Sequence, residues 1–318
     1  MVSREVGLGP EERLIARIAA LWSGRERPDV VAAGGDDCAI LRLPGTSDDL
    51  LLTTDQVVED RHFVSGRHLP NALGRKALVR SLSDIAAMGG RPCWCLQTVC
   101  LPGWAKGPWH EAFQRGLRAA AEHPEAHGLA LVGGDVSGGE RFVATVTVIG
   151  CVERGTALLR SGARPGDLAY VSGSLGGSAM GLAKLLAAGT DASADPSVRR
   201  HCEPSPRLAL GRALQTLPAT AAIDVSDGLA TDANRLADAS GVSMVIDPAA
   251  LPLYPGATAD QALRSGEEYE LLCTIPAGTP PPPGTDLALI GRVEPGAGVC
   301  LRSDSGREAL RPEGYSHF

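Results

Sequence analysis

Apolar runs of strand length alternate with helical repeats along most of the chain, the order expected when helices pack on a sheet. After an amphipathic helix ending near Leu21, residues 38–41 and 51–58 read as strands. The second runs from Leu51 and Leu52 straight into Thr53, Thr54 and Asp55. Residues 71–88 read as a helix: Pro70 and Asn71 open it, Leu78, Leu82 and Ile85 recur at helical spacing, and Gly89, Gly90 and Pro92 close it. A second helix is expected over 109–122. A buried strand ending in a Gly133-Gly134-Asp135 turn follows it, then a cleanly alternating strand over 142–150. The region 154–165, rich in Gly, Arg and Pro, reads as a crossover between two halves. The second half continues with a strand over 168–171, a Gly-rich turn, a helix over 179–188, and a strand over 222–226. A helix then carries Leu229, Ala233, Leu236 and Ala237 on one face, and further strands are expected within 265–275 and 287–293.

Carboxylates interrupt this pattern in five places: Asp36-Asp37, Asp55, Asp84, Asp135 and Asp224 with Asp227. Asp is depleted inside strands, and a buried carboxylate must be paired, hydrogen-bonded or metal-bound. Each position alone has an ordinary alternative. Asp36 and Asp37 follow glycines and suit a turn, Asp84 can be solvated in the last turn of its helix, and Asp227 can cap the next one. Together they suggest a composite metal and phosphate site. By strand alternation Asp224 and Ser226 share one face. The turn over 172–178 makes an anion-ready corner before a helix. It lacks the Lys-Ser/Thr of a Walker loop and the spacing of a dinucleotide fingerprint.

With 318 residues the chain suits two domains, expected over 1–150 and 151–318. Its formal charge of -7 gives no electrostatic reason to bind nucleic acid or an anionic membrane. An anionic substrate would therefore need a divalent metal as counter-charge. The N-terminus lacks the apolar core of a signal peptide, and no run approaches the ~18 apolar residues of a membrane span, so a cytoplasmic location is expected. The eight cysteines lie mostly in apolar runs and read as small buried hydrophobes. Cys93, Cys95 and Cys100 have no second pair at zinc spacing.

In order along the chain stand Gly35-Asp36-Asp37-Cys38-Ala39, Thr53-Thr54-Asp55, His62-Phe63, Lys76-Ala77-Leu78, Leu82-Ser83-Asp84-Ile85-Ala86-Ala87-Met88-Gly89, Gly133-Gly134-Asp135, Pro204-Ser205-Pro206-Arg207, Asp224-Val225-Ser226-Asp227-Gly228-Leu229, Tyr269-Glu270-Leu271 and Gly314-Tyr315. This series resembles the thiamine-monophosphate kinases of the aminoimidazole ribonucleotide synthetase superfamily. The resemblance implies a two-domain α/β (α+β) fold, each half a mixed sheet with helices packed on it. The first half would bind ATP and Mg²⁺ and dimerise, and the second would complete the substrate site. It implies ATP-dependent phosphorylation of thiamine monophosphate with several Mg²⁺ ions, in a homodimer whose N-terminal strands pair.

Carried onto matching positions, the metal ligands would be Asp37, Thr53, Thr54, Asp55, Asp84, Asp135, Asp224 and Asp227. Of these, Asp55, Asp84, Asp135 and Asp227 would be catalytic. Gly134, Asp135, Arg160 and Ser226 would meet the nucleotide, and His62, Glu268 and Tyr315 the thiamine compound. The family pattern Gly-Glu-Asp-Tyr-Glu is here Gly266-Glu267-Glu268-Tyr269-Glu270. Val136-Ser137-Gly138-Gly139 replaces a Thr-Thr-Arg-Gly, and Ser81 stands where Asn is common. Two other readings stay open: a sister ATP-dependent enzyme of the superfamily, and an idle metal- or nucleotide-binding scaffold.

Overall fold

The structure, a computed structural model, describes residues 10–24, 27–126, 128–188, 193–279, 281, 284–303 and 306–312. The terminal aromatic cluster with Tyr315 lies outside the described residues.

Six strands form the first sheet: β1 (Val30–Ala32), β2 (Ala39–Leu41), β3 (Asp48–Val58), β4 (Arg91–Leu101), β5 (Ala130–Gly138) and β6 (Val143–Glu153). Their order is β1-β2-β3-β6-β4-β5, antiparallel except for the β4–β5 pair. The helix α1 (Pro10–Leu21) precedes them, while α2 (Pro70–Ala87) and α3 (Pro108–Ala121) lie between strands in sequence. Both α2 and α3 start and stop within a residue of the expected limits. They pack unusually close, because a Cβ on Gly74 would lie 1.8 Å from the Phe113 carbonyl oxygen and one on Gly116 would lie 1.7 Å from that of Asn71. Only glycine at both crossings lets the backbones touch.

The second half contributes β7 (Asp167–Ser172), α4 (Gly177–Ala188), α5 (Pro196–Cys202), α6 (Leu208–Thr216), β8 (Ala221–Val225), α7 (Leu229–Ser240), β9 (Ser243–Ile246), α8 (Ala259–Arg264), β10 (Glu270–Pro276), β11 (Leu287–Glu294), β12 (Gly298–Ser303) and β13 (Gly306–Ala309). Its seven strands run in the order β13-β12-β9-β11-β7-β10-β8, with only β9–β12 parallel among the described residues. The two-domain architecture of mixed sheets with packed helices is the one expected.

Period-2 alternation splits the second sheet between two cores. Tyr170, Ala222, Leu271, Cys273 and Ile275 join the core built on Leu51, Leu78, Leu82 and Ile85 of the first half. Ala169, Val171, Ile223, Val225 and Leu272 face the other way, onto α7 and α8 through Leu229, Leu236 and Ala262. The helix α2 therefore lies between the two halves, touching β3 and β6 on one side and β8 and β10 on the other.

One expected element differs. The strand before Asp135 is exposed along its length and runs on through Gly133, Gly134 and Asp135 to Gly138. Its apolar composition suggested burial, yet among the described residues β5 is an edge strand, hydrogen-bonded on one side only, to β4. A Cβ on Gly134 would lie 1.8 Å from the Gln97 carbonyl oxygen, so glycine there lets the two strands approach.

Candidate functional site

Residues 76, 80 and 84 stand one turn apart on α2, which stacks Lys76, Arg80 and Asp84 in a charged stripe on a largely buried helix. The stripe faces two strand ends. From β3, the parity that buries Leu51 and Val57 also turns Thr53 and Asp55 toward α2. From β8, the parity that sends Ala222 to the first core carries Asp224 with it. The Thr53 hydroxyl donates to Asp84, Ser83 Oγ donates to Asp224 at 2.7 Å, and Ser81 Oγ donates to Asp55 at 3.0 Å.

Asp37, Asp84 and Asp224 each offer a carboxylate oxygen within 4.8 Å of the others. Burial first, and then repulsion from neighbouring carboxylates, hold Asp84 and Asp224 well above the usual carboxylate range, and burial raises Asp37 against the pull of Arg160. Arg160 is the nearby counter-charge, its Nη2 donating to Asp37 at 2.7 Å. The second oxygen of Asp37 is buried with no hydrogen-bond partner among the described residues. Hard oxygen donors, like charges held together and an unanswered acceptor fit a divalent cation. Asp36 keeps the turn role, accepting from the backbone N–H groups of Asp37 and Arg160.

A cavity of about 640 Å³ opens beside the cluster. Asp55, Asp84, Asp224, Ser226 and Asp227 line its acidic side, and Phe63, Val64, Leu182 and Leu186 contribute apolar wall. His62 lines it too, with its Nδ1 accepting from the Val58 N–H at 3.0 Å. Asp227 does not cap α7, whose N-cap is Gly228. Instead, the buried Asp232 carboxylate accepts from the Ser226 and Asp227 N–H groups at 3.1 and 3.0 Å, and Arg235 bridges Asp227 and Asp232 at 2.5 and 2.9 Å. Burial and the adjacent Asp227 push Asp232 up to about 7.

Four expected site residues lie elsewhere in the single chain. Thr54 follows Thr53 on a pleated strand and so takes the opposite face, 3.0 Å from Thr147 Oγ1. Gly134 and Asp135 sit on β5, three strand spacings from β3 and roughly 14 Å away across the sheet. Glu268 is turned from the cavity and buried: it accepts from the Gly176 and Ser178 N–H groups at 2.8 and 3.1 Å and pairs with Arg200 at 3.3 Å. The cause is local backbone, since Glu267 and Tyr269 both adopt left-handed φ, 59° and 53°.

That twist sends Glu267 into the cavity wall, where it meets Lys76 Nζ at 2.6 Å and Arg80 Nη1 at 3.2 Å. Burial opposes its ionisation, but Lys76, His201 and Arg80 win and draw it down to about 2. Lys76 also reaches His201 Nε2 at 3.4 Å. An ammonium only donates, so Nε2 accepts and His201 Nδ1–H faces Ser178 Oγ at 2.9 Å. Lys76 and Glu267 stand in quoted motifs but, like Arg80, His201 and Asp232, were given no role from sequence. The signal available was a lysine and an arginine at i, i+4 before Asp84, inside a helix whose apolar positions leave little surface.

Residues 35–152 match the family described as AIR synthase related protein, N-terminal domain, and residues 164–281 match its C-terminal domain. The thiamine-monophosphate kinase of Escherichia coli (strain K12) is 37% identical over 313 residues, covering 92% of this chain and 93% of that protein. That of Bacillus subtilis (strain 168) is 34% identical over 306 residues, covering 89% and 92%. A solved structure described as AaThiL complexed with AMPPCP and TMP aligns at TM-score 0.83 and 34% identity over 100% of this chain and 99% of that one. Escherichia coli HypE, a hydrogenase maturation protein, shares the fold at 20% identity and TM-score 0.67, covering 96% and 98%. With both domains matched and this identity sustained over nearly the full length, the chain belongs to the thiamine-monophosphate kinase family of AIR synthase related proteins.

Proposed function

We propose that this chain transfers the γ-phosphoryl group of ATP to thiamine monophosphate, forming thiamine diphosphate and ADP by direct in-line displacement with Mg²⁺. The observation that carries this reading is the convergence of Asp37, Asp84 and Asp224, from both halves, beside a cavity that also carries an apolar patch of Phe63, Val64, Leu182 and Leu186. Donor and acceptor are both anionic, and two unit charges ~4 Å apart repel by about 4 kcal/mol at an effective dielectric near 20. Bound Mg²⁺ supplies the charge that offsets this repulsion. The acceptor phosphate has a second pKa of about 6 and is largely deprotonated at neutral pH, so no general base is needed.

On this reading Asp37, Asp55, Asp84, Asp224 and Asp227 hold the cations, with Thr53 and Ser83 fixing the rotamers of Asp84 and Asp224. Asp232 pins the loop that presents Ser226 and Asp227. Arg160 and Ser226 meet the nucleotide, and His62 with Tyr315 the thiamine rings. Glu268 serves by rigidifying the Gly176–Ser178 turn in the cavity wall. Thr54, Gly134 and Asp135 enter through a homodimer, in which the site draws on both copies. The exposed edge of β5, with Leu131, Val132 and Val136 in the open, supports such pairing. A cytoplasmic location, with access to ATP, belongs to the same reading.

The test is incubation of the purified chain with ATP, Mg²⁺ and thiamine monophosphate, followed by chromatography for thiamine diphosphate and ADP. Absence of both products would overturn the activity. ATP with an isotopically chiral γ-phosphate should give inversion at phosphorus; retention would overturn the in-line step in favour of a phosphoenzyme.

A further inference from the structure

The acidic side of the cavity contains one half-buried cation that the metal-centred reading leaves without a task. Among the described residues, Arg61, Arg80 and Arg264 line the cavity, and of these Arg61 and Arg264 are exposed. Arg80 is held from three sides, with Nη1 donating at 3.2 Å to both Glu267 and the Tyr269 hydroxyl and Nη2 standing 3.7 Å from Asp55. That last distance is an ion pair but too long for a hydrogen bond. Its Nε is buried with no partner among the described residues. Two edges of the guanidinium thus retain donor capacity.

The local charge count points the same way. Lys76 and Arg80 share the carboxylate of Glu267, Asp55 adds only the longer 3.7 Å contact to Arg80, and His201, beside Lys76, is neutral at pH 7. Lys76 is sealed at 2% exposure, whereas Arg80 borders the cavity. Of the two cations, Arg80 is therefore the one presented to the cavity. Glu267 is aimed by a left-handed backbone that only surrounding structure can maintain, with its N–H donating to the Ser226 carbonyl at 2.6 Å.

We propose that Arg80 is the fixed cation that receives the phosphate monoester of the acceptor, with Glu267 as the positioning residue that orients its guanidinium. This rests on the phosphotransferase reading above and deepens it. A planar fork matches phosphate oxygens bidentately, where an ammonium offers only a point charge. The consequence is selectivity: the pocket discriminates thiamine monophosphate from thiamine through Arg80, not through the heterocycle wall.

The test compares wild type with Arg80→Ala and Arg80→Lys in the full-length chain, with Mg²⁺ and ATP present. Arg80→Ala should raise the KM for thiamine monophosphate on the order of 30-fold or more, as expected for lost hydrogen bonds to a charged group. The KM for ATP should stay within about twofold, and added guanidinium ion should restore part of the loss. In calorimetric titration the affinity for thiamine monophosphate should fall while that for thiamine does not, so their ratio collapses. Arg80→Lys should lose less, and it decides the matter if the alanine variant does not fold. An acceptor KM changed by less than about threefold in the folded variants, or equal weakening of thiamine and thiamine monophosphate, would overturn the proposal alone. Failure of the wild type to make thiamine diphosphate would overturn it together with the function on which it rests.

Discussion

Removing the charge of Asp84 should separate chemistry from stability. Asp84→Asn deletes one of three carboxylates that repel one another, so without metal the variant should be more stable, by about 1 kcal/mol or roughly 2 °C in Tm for a chain of this size. Turnover should fall at least ~100-fold, since metal-borne charge stabilisation is worth several kcal/mol. Melting in chelator alongside the kinase assay checks both, and a lowered Tm would contradict the repulsion. His201 makes the opposite kind of test. Burial, then Lys76, lowers its pKa from 6.5 to about 3, so below pH 6.5 the unfolded chain binds a proton that the folded one refuses. Stability is therefore lost as pH falls from 6.5 to about 3, by up to ~1.4 kcal/mol per pH unit. Lys76, Glu267, His68 and Ser178 are the groups that face it, and His68 is depressed in the same sense, to about 4. Urea titrations at pH 7 and pH 5 should show a smaller difference for His201→Gln than for wild type. The residues legible in sequence were those whose type contradicts its setting, such as Asp55 and Asp224 in apolar strands. Arg80 and Glu267 were not, because a charged residue on a helix or in an acidic turn ordinarily faces water. Their inward aim follows from the polar stripe of α2 and the left-handed backbone at Glu267, which only the assembled fold reveals.

At the scale of elements, α2 is the part on which most else is hung, and its seat against α3 should be the most sensitive to added volume. Gly74→Ala forces a methyl into the Phe113 carbonyl and should destabilise by about 1–3 kcal/mol, the usual range for overpacking. It should also reduce turnover, since Lys76, Arg80, Ser83 and Asp84 move with the helix. Gly103→Ser, at an exposed position of ordinary φ with nothing within 4 Å of a Cβ, is the control for Gly substitution away from packing. Denaturant unfolding with parallel kinetics distinguishes the two. Helix α2 was readable because its caps and its apolar spacing agree. The strand β5 was misread because an apolar run carries no mark of whether its cover comes from the same chain. Asp227 was credited as a possible cap because Asp commonly opens helices; the N-cap is Gly228, and Asp232, one turn inside α7, binds the free N–H groups instead.

For the molecule as a whole, the homodimer reading predicts that Leu131→Glu on β5 weakens self-association and lowers activity together. Leu131 is 54% exposed in the single chain, so the folded monomer should tolerate the charge. Light scattering should report a smaller species, and activity should return at high protein concentration if Asp135 acts across the interface. An undiminished dimer would remove β5 from it. That the fold has two halves was legible from length, but their interdependence was not. The face of the second sheet carrying Tyr170, Leu271, Cys273 and Ile275 completes the core of the first half. A truncation near residue 150 would strip the first half of its lid and leave an oily wound on the second. Neither piece should survive alone as a soluble, cooperatively melting body, although the two co-expressed could heal each other. What looks in sequence like a pair of modules is, in thermodynamic terms, a single indivisible unit, and any recombination that exchanges one half must bring a matching partner surface with it.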